Sequence, residues 1–346
     1  MLNNKYFIVS SIVVMVALIG LVIFLVFRSI ESASINDKLK LIVDHDGGAD
    51  DAMALFIALL NEKYFNGPEV IALTTTHGNV GEEQVYNNSQ RILTVADRRD
   101  IPIYRGSSKS LVSSFPSDYF FGYDGLGDNF TYYEPIPPQP EHAVTKLIEL
   151  SKEYEGELIV VALGALTNIA LAIRLDPQFV SRLSHLYVAA GHIYGEEYTE
   201  PEFNAAMDAE AYYIVVENGP ADKLTIVPFS QIYTYQKVDK EWRRNVLGAI
   251  DTEIMRAQNI FETKSLNTSY SYWCLLDPSA MALALKSSIV EEIRYSRNEI
   301  ILCGDQRGIN TNNFTTSDPN VQVTYKVKLE PYQQFLYDLF SADLQD

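Results

Sequence analysis

Four carboxylates fall within eight residues in the run Val43-Asp44-His45-Asp46-Gly47-Gly48-Ala49-Asp50-Asp51. Carboxylates this close repel one another and take up protons unless a cation neutralises them. A hard divalent ion with oxygen ligands meets that need. No thiolate or histidine cluster accompanies the run, so Ca²⁺ or Mg²⁺ suits it better than Zn²⁺. Gly47 and Gly48 let the backbone turn sharply enough for the acids to converge. The plainer alternative is that Asp50 and Asp51 cap a helix and favour its dipole, which suffices for one aspartate but poorly for four.

These acids need a frame. Residues 39–43 read as a short buried strand and 52–60 as the helix after it. The cluster therefore sits at the carboxyl end of a strand, where open α/β sheets bind ligands. Further strands over 70–74, 158–162, 185–190 and 224–227 alternate with helices over about 82–96, 166–175 and 206–217. Such alternation makes βαβ units. The tail is less regular, with strands over 299–303 and 321–329 and a helix over 331–340. The expected fold is α/β: one domain over 39–346, built on a single open, mostly parallel sheet with a mixed edge and helices on its faces.

The chain has 346 residues, 27 Lys plus Arg and 45 Asp plus Glu, for a formal net charge of −18. Hydrophobic residues make up 47% and charged ones 21%, a balance that excludes wholesale disorder and low-complexity classes. The acidic balance argues against phosphate-backbone binding, so no nucleic-acid partner is expected. Two cysteines, Cys274 and Cys303, are too few for a disulfide scaffold.

Residues 6–28 are expected to form a transmembrane signal anchor. From Tyr6 to Phe27 the chain runs 22 residues without a charge, bounded by Lys5 and Arg28. At about 1.5 Å per residue, such a helix spans a hydrocarbon core of about 30 Å. Residues 1–5 read as a short tail and 29–38 as a polar stalk. Four sequons begin at Asn87, Asn129, Asn267 and Asn313. They favour a lumenal or extracellular catalytic body in a single-pass, type II-like arrangement, with Asn129, Asn267 and Asn313 as glycosylation candidates. The alternative is a body secreted after cleavage near residues 32–34.

The acidic run also carries a resemblance. It is similar to the Asp-x-Asp-x-Gly-x-Asp-Asp signature of the nucleoside hydrolase family, inosine–uridine-type nucleoside N-ribohydrolases, with every Asp and the Gly matched. Thr74-Thr75-Thr76-His77-Gly78-Asn79 resembles the family's second-strand motif, Asn88 its following helix, and Gly122-Tyr123-Asp124-Gly125-Leu126-Gly127 its active-site loop. Leu163 to Ala170 is similar to its Gly-Pro-Leu-Thr-Asn stretch, Pro201-Glu202-Phe203-Asn204 with Asp208 and Ala211 to its Glu-Phe-Asn segment, and Asp277-Pro278 with Ala280 to its last acidic motif.

The resemblance implies a Rossmann-like nucleoside hydrolase fold and Ca²⁺-dependent cleavage of the N-glycosidic bond of ribonucleosides, giving ribose and free base. It implies Ca²⁺ ligands at Asp46, Asp51, the Leu163 carbonyl and Asp277. Asp46 would be the general base toward a metal-activated water, with Asn79 beside it and Asp44 supporting the shell. Asp50, Asn79, Glu202 and Asn204 would hold the ribose, Glu202 and Asn204 on its 3′ and 5′ side. The partner is then a small-molecule nucleoside, and homo-oligomerisation is a further expectation of the family.

Three positions depart from the pattern. Leu276 stands where many members carry a histidine that helps the base leave, and leucine donates no proton. Phe121 replaces the loop histidine, and Glu196 an asparagine near the 5′-hydroxyl. Aromatic stacking is the other way to activate a leaving base, and Tyr119, Phe120, Phe121, Tyr123, Tyr272 and Trp273 are the candidates, Phe121 and Trp273 foremost. That points to purine preference, while His45, His77 and His192 are alternative proton donors. Two rival readings stay open. Asp44-His45-Asp46-Gly47 resembles the nucleophile loop of haloacid dehalogenase-type phosphatases, and a retained cation site without its acid would make a non-catalytic, membrane-tethered ribose or nucleoside binder.

Overall fold

The computed structural model describes residues 38–345 except 114, 132, 196, 197 and 274. The chain alternates through β1 (Lys40–His45), α1 (Ala49–Phe65), β2 (Glu69–Thr75), α2 (Glu82–Val95), β3 (Ile103–Tyr104), α3 (Ala143–Glu153), β4 (Leu158–Ala162), α4 (Thr167–Leu175) and β5 (His185–Ala189). It continues through α5 (Phe203–Met207), α6 (Ala209–Asn218), β6 (Leu224–Val227), α7 (Phe229–Tyr235), β7 (Val238–Asp239), α8 (Glu253–Phe261), β8 (Tyr272–Trp273) and α9 (Leu276–Leu285). The last elements are β9 (Val290–Ile300), β10 (Asn310–Asn313), β11 (Val321–Val327) and α10 (Leu329–Ala342).

Nine strands form one sheet in the order β10-β9-β11-β6-β5-β4-β1-β2-β3, and β7 pairs with β8 apart from it. From β11 to β3 every pairing is parallel, while β9 runs antiparallel to both β11 and β10. Strand alternation sorts the core onto two faces. Leu41, Val43, Ile159 and Val161 pack with α1, α9 and α10, whereas Ile42, Val160 and Ala162 pack with α3, α4 and α6. Because both faces are covered, the central strands read as unbroken apolar runs.

Two expected elements are redrawn, and one strand is new. The helix expected over 206–217 is two helices, because Asp208 leaves helical geometry (φ −146°, ψ 82°) and its side chain caps α6 through the Ala211 N–H. The strand expected over 299–303 begins at Val290 and ends at Ile300. It lies near the sheet's edge with alternating burial, so Glu291, Glu292 and Arg294 interrupt the apolar run by which a buried strand is recognised. Strand β10, with sequence Asn-Thr-Asn-Asn, carries no strand signal of its own.

The anchored architecture is corrected. Among the described residues no helix is long and apolar enough to cross a membrane. The longest, α1, has 17 residues against the roughly 20 a span requires, and its apolar side chains are committed to the domain core. The expected anchor over 6–28, the tail over 1–5 and all of the stalk but residue 38 lie outside the described residues. The single-pass, type II-like placement, its membrane contact and the secreted alternative are therefore not carried forward. Asn129, Asn267 and Asn313 are exposed, but they lose their standing as glycosylation candidates along with the topology that motivated them.

Candidate active site

The acidic run leaves β1 and enters α1 at the carboxyl end of the sheet, as its position after a buried strand requires. Asp46 points between two backbones that carry no side chains. A Cβ on Gly78 would lie 1.8 Å from Asp46 Oδ2, and one on Gly164 would lie 2.7 Å from Asp46 Cβ. The Asn79 backbone N–H donates to Asp46 Oδ2 (2.8 Å) and its side-chain Nδ2 to Asp46 Oδ1 (2.9 Å). Asp51 accepts from the Asp46 N–H (3.1 Å) and the Gly48 N–H (2.7 Å), closing the loop on itself. Asn88 donates from Nδ2 to the carbonyls of Gly47 and Asp124, both at 2.7 Å, so α2 ties this loop to the segment after residue 119.

Asp277 arrives from the first turn of α9, and one carboxylate oxygen each from Asp46, Asp51 and Asp277 lies within 4.8 Å of the others. All three are buried. Burial pushes the Asp46 carboxyl up to about 6. Asp50, Asp51 and Asp277 are held well above the usual carboxylate range, first by burial and then by the charge of neighbouring acids, Asp46 among them in each case. Among the described residues none of the three pairs with lysine or arginine, and the one basic neighbour, His45, sits 3.9 Å from Asp51 with burial lowering its ring to about 3. Uncompensated buried carboxylates are costly, and a donor set made wholly of hard oxygens fits a divalent cation of the Ca²⁺ or Mg²⁺ kind.

The expected supporting residue, Asp44, is fully buried on β1. Its Oδ1 accepts from Thr74 Oγ1 (2.6 Å) and Asn168 Nδ2 (2.8 Å), while Oδ2 has no partner. Burial raises it to about 7. Asn168 is the hub here, since its Nδ2 also reaches the Thr75 carbonyl and its Oδ1 accepts from the Ser107 N–H. Its place within the Leu163–Ala170 motif was the available signal; its bonding was not.

A cavity of about 700 Å³ opens above the acids, within the range of roughly 300–1,000 Å³ usual for small-molecule sites. Asp50, Asn79, Phe121, Leu163, Glu202, Asn204, Trp273 and Asp277 all line it. Glu202 is also the N-cap of α5, accepting from the Asn204 and Ala205 N–H groups and from the Gly191 N–H, and burial lifts it to about 7. Asn204 donates from Nδ2 to the carbonyls of Leu163 (2.8 Å) and Ala189 (2.9 Å). Its Oδ1 is buried without a hydrogen-bond partner. Trp273 is fixed by Nε1 donating to Glu262 (2.6 Å), a carboxylate that also pairs with buried Arg243.

The aromatic candidates divide. Phe120, Phe121, Tyr272 and Trp273 line the cavity, whereas Tyr119 and Tyr123 do not and are 52% and 77% exposed. Leu276 lines the wall beside Asp277, so no proton donor stands there. Of the three histidine candidates only His192 borders the cavity. His45 bonds Ser89 and His77 bonds Thr167 elsewhere. Glu196 lies outside the described residues. Sequence reasoning missed the wall formed by Tyr198, Phe229 and Tyr233. Phe229 follows the carboxyl end of β6, which was a usable positional signal.

The family described as inosine-uridine preferring nucleoside hydrolase matches residues 41–334. The chain is 38% identical over 198 residues to the Arabidopsis thaliana protein named probable uridine nucleosidase 2, covering 54% of this chain and 58% of that one. It is 35% identical over 185 residues to the Leishmania major inosine-uridine preferring nucleoside hydrolase, covering 51% and 56%. The chain thus spans little more than half the length of these curated relatives. A solved plant nucleoside hydrolase superposes with a TM-score of 0.77 at 28% identity, covering 88% of this chain and 99% of that one. This chain belongs to the inosine-uridine preferring nucleoside hydrolase family.

Proposed function

We propose that this family member hydrolyses the N-glycosidic bond of ribonucleosides, with Ca²⁺ held by Asp46, Asp51, Asp277 and the Leu163 carbonyl. The observation that carries the reading is the meeting of Asp46 and Asp51 with Asp277 at one end of the sheet. A cation bound there neutralises the carboxylates and lowers the pKa of a water it holds.

The chain's own residues supply the rest. Asp46 takes the proton of the attacking water, and the two hydrogen bonds from Asn79 hold its carboxylate in place. Asp50 and Asn79 receive the sugar's vicinal hydroxyls, and Glu202 and Asn204, which line the same cavity, take its 3′ and 5′ side. Water adds at C1′ as the C1′–N bond breaks, and the base leaves with the bonding pair. Placement and fixed dipoles do most of this work. With Leu276 unable to donate, stacking on Phe121 and Trp273 eases the departure, which favours a purine. A pyrimidine preference is the second reading, supported by the word uridine in the names of both relatives.

The phosphatase reading would need Asp44 open to substrate as a nucleophile. Asp44 is fully buried, and its Oδ1 is engaged by Thr74 and Asn168. The test is release of free base from inosine, adenosine, uridine and cytidine, with and without a calcium chelator. Turnover is expected to need the cation and to be lost in Asp46→Ala. Binding without turnover would leave the non-catalytic binder, and undiminished turnover in Asp46→Ala would refute the role given to Asp46.

A further inference from the structure

The cavity wall on the Glu202 side is built around one residue that the mechanism above leaves unused. His192 follows β5 by way of Gly191, whose φ is +82°. A Cβ at Gly191 would lie 2.8 Å from Asn310 Oδ1, so glycine alone suits the position. The Gly191 N–H donates to Glu202 Oε2 (2.8 Å). Strand β10 then grips the next residue. The His192 N–H donates to Asn310 Oδ1 (2.8 Å), and its carbonyl accepts from Asn310 Nδ2 (3.0 Å) and Asn312 Nδ2 (3.1 Å).

The ring is clamped as firmly as the backbone. Tyr198 packs at 4.6 Å between centroids, Tyr194 meets it edge-on at 5.3 Å, and Phe229 lies at 6.0 Å. His192 Nδ1 is sealed from solvent without a partner, although the residue borders the cavity. Burial lowers the ring to about 4, so it is neutral at pH 7 and carries one N–H. Folded proteins avoid a buried unmet N–H more strictly than an unmet acceptor. The network thus assigns the proton to Nε2, on the edge that faces the cavity.

Nucleoside geometry says what this donor meets. With the diol at the acids and the base against Phe121 and Trp273, the C4′–C5′ end of the sugar would be left to the remaining wall, which Glu202 and His192 line. We propose that His192 contacts substrate by donating from Nε2–H to the 5′-oxygen of the sugar, with Asn310 and Asn312 as its positioning residues. This rests on the nucleoside reading and adds a specificity contact to it.

The test compares kcat/KM for inosine with 5′-deoxyinosine, and for uridine with 5′-deoxyuridine, at saturating Ca²⁺. Wild type is expected to favour the hydroxyl-bearing substrate by about tenfold or more, the effect of one lost hydrogen bond to a preset donor. His192→Phe keeps the aromatic packing, loses most of that preference, and leaves the 5′-deoxy substrate within about twofold. His192→Gln retains part of it through its amide N–H, and carries the test if the Phe variant fails to fold. Asn310→Ala keeps the imidazole and shows an intermediate preference. An undiminished preference in the His192 variants, or an equal loss on both substrates, overturns the contact while leaving nucleoside hydrolysis standing. If wild type turns over neither substrate, calorimetric binding gives the same ratio. Absence of both turnover and binding overturns the nucleoside reading, and the contact with it.

Discussion

Gly78→Ala perturbs one atom position beside Asp46 and nothing else in the site. The added Cβ would sit 1.8 Å from Asp46 Oδ2 and 2.7 Å from its Cγ, where real Cβ contacts stay beyond 3.0 Å. Something must give by more than an ångström. Asp46 cannot retreat freely, because its other side already faces Gly164, where the spare room is also less than a Cβ needs. The carboxylate therefore swings, and the two bonds from Asn79 to its oxygens lengthen or break. A displacement of about 1 Å at a reacting group costs about 100-fold, or about 2.7 kcal/mol. Overpacking adds a stability loss of about 1–3 kcal/mol. Gly81→Ala is the matched control, since a Cβ there meets nothing within 4 Å. At the N-cap of α2 it should cost no more than about 1 kcal/mol of stability and leave turnover unchanged. The assay is kcat/KM for base release at saturating Ca²⁺, alongside urea unfolding of both variants. If Gly78→Ala keeps more than half of wild-type kcat/KM, the position assigned to the Asp46 carboxylate is not what activity depends on.

Asp277→Asn removes one of three converging charges. Changing a residue that only supports a metal ligand already costs about 10–100-fold in affinity, so Ca²⁺ affinity should fall by at least about 100-fold, read by calorimetric titration. Glu262→Gln leaves Arg243 charged and fully buried without its counterion. Its cost should be about 3–5 kcal/mol in urea unfolding, whereas Asp251→Asn, at the exposed Arg256 pair, should cost less than about 1 kcal/mol. Asp176 is held down to about 2, first by its hydrogen bond from Arg182 and then by Lys152. A depressed carboxyl stabilises the fold above its unfolded value near 4, and that contribution is lost as pH falls through 2. With the side chain 18% exposed, screening trims it to about 1 kcal/mol. Asp176→Asn should thus lower stability at pH 7 by about that amount, with the difference shrinking as pH falls from about 4 and gone only below 2.

Much of this molecule can be read from local pattern. Residues 158–162 and 224–227 are strands in the structure with the bounds their apolar runs suggest, because a strand buried on both faces needs no partner to be recognised. Strand β10 and the first half of β9 are illegible for the converse reason. Their polar and charged residues lie at the sheet's edge, and only pairing makes them strands, β9 with β11 and β10 with β9. The site divides the same way. The acidic run and Leu276 announce themselves, but Tyr119 and Tyr123 look as suited to stacking as Phe121 and are turned to solvent instead.

Residue type and short spacing were enough to establish that a strand end carries clustered carboxylates, that the sheet is mostly parallel, and that Leu276, next to Asp277, donates no proton. Folding had to bring Asp277 to Asp46 and Asp51, set Asn204 to brace the Leu163 carbonyl, and lock His192 at the wall through β10. Each of those depends on contacts between elements distant along the chain, set by how the helices and the sheet edge pack, and no periodicity within a single element encodes them.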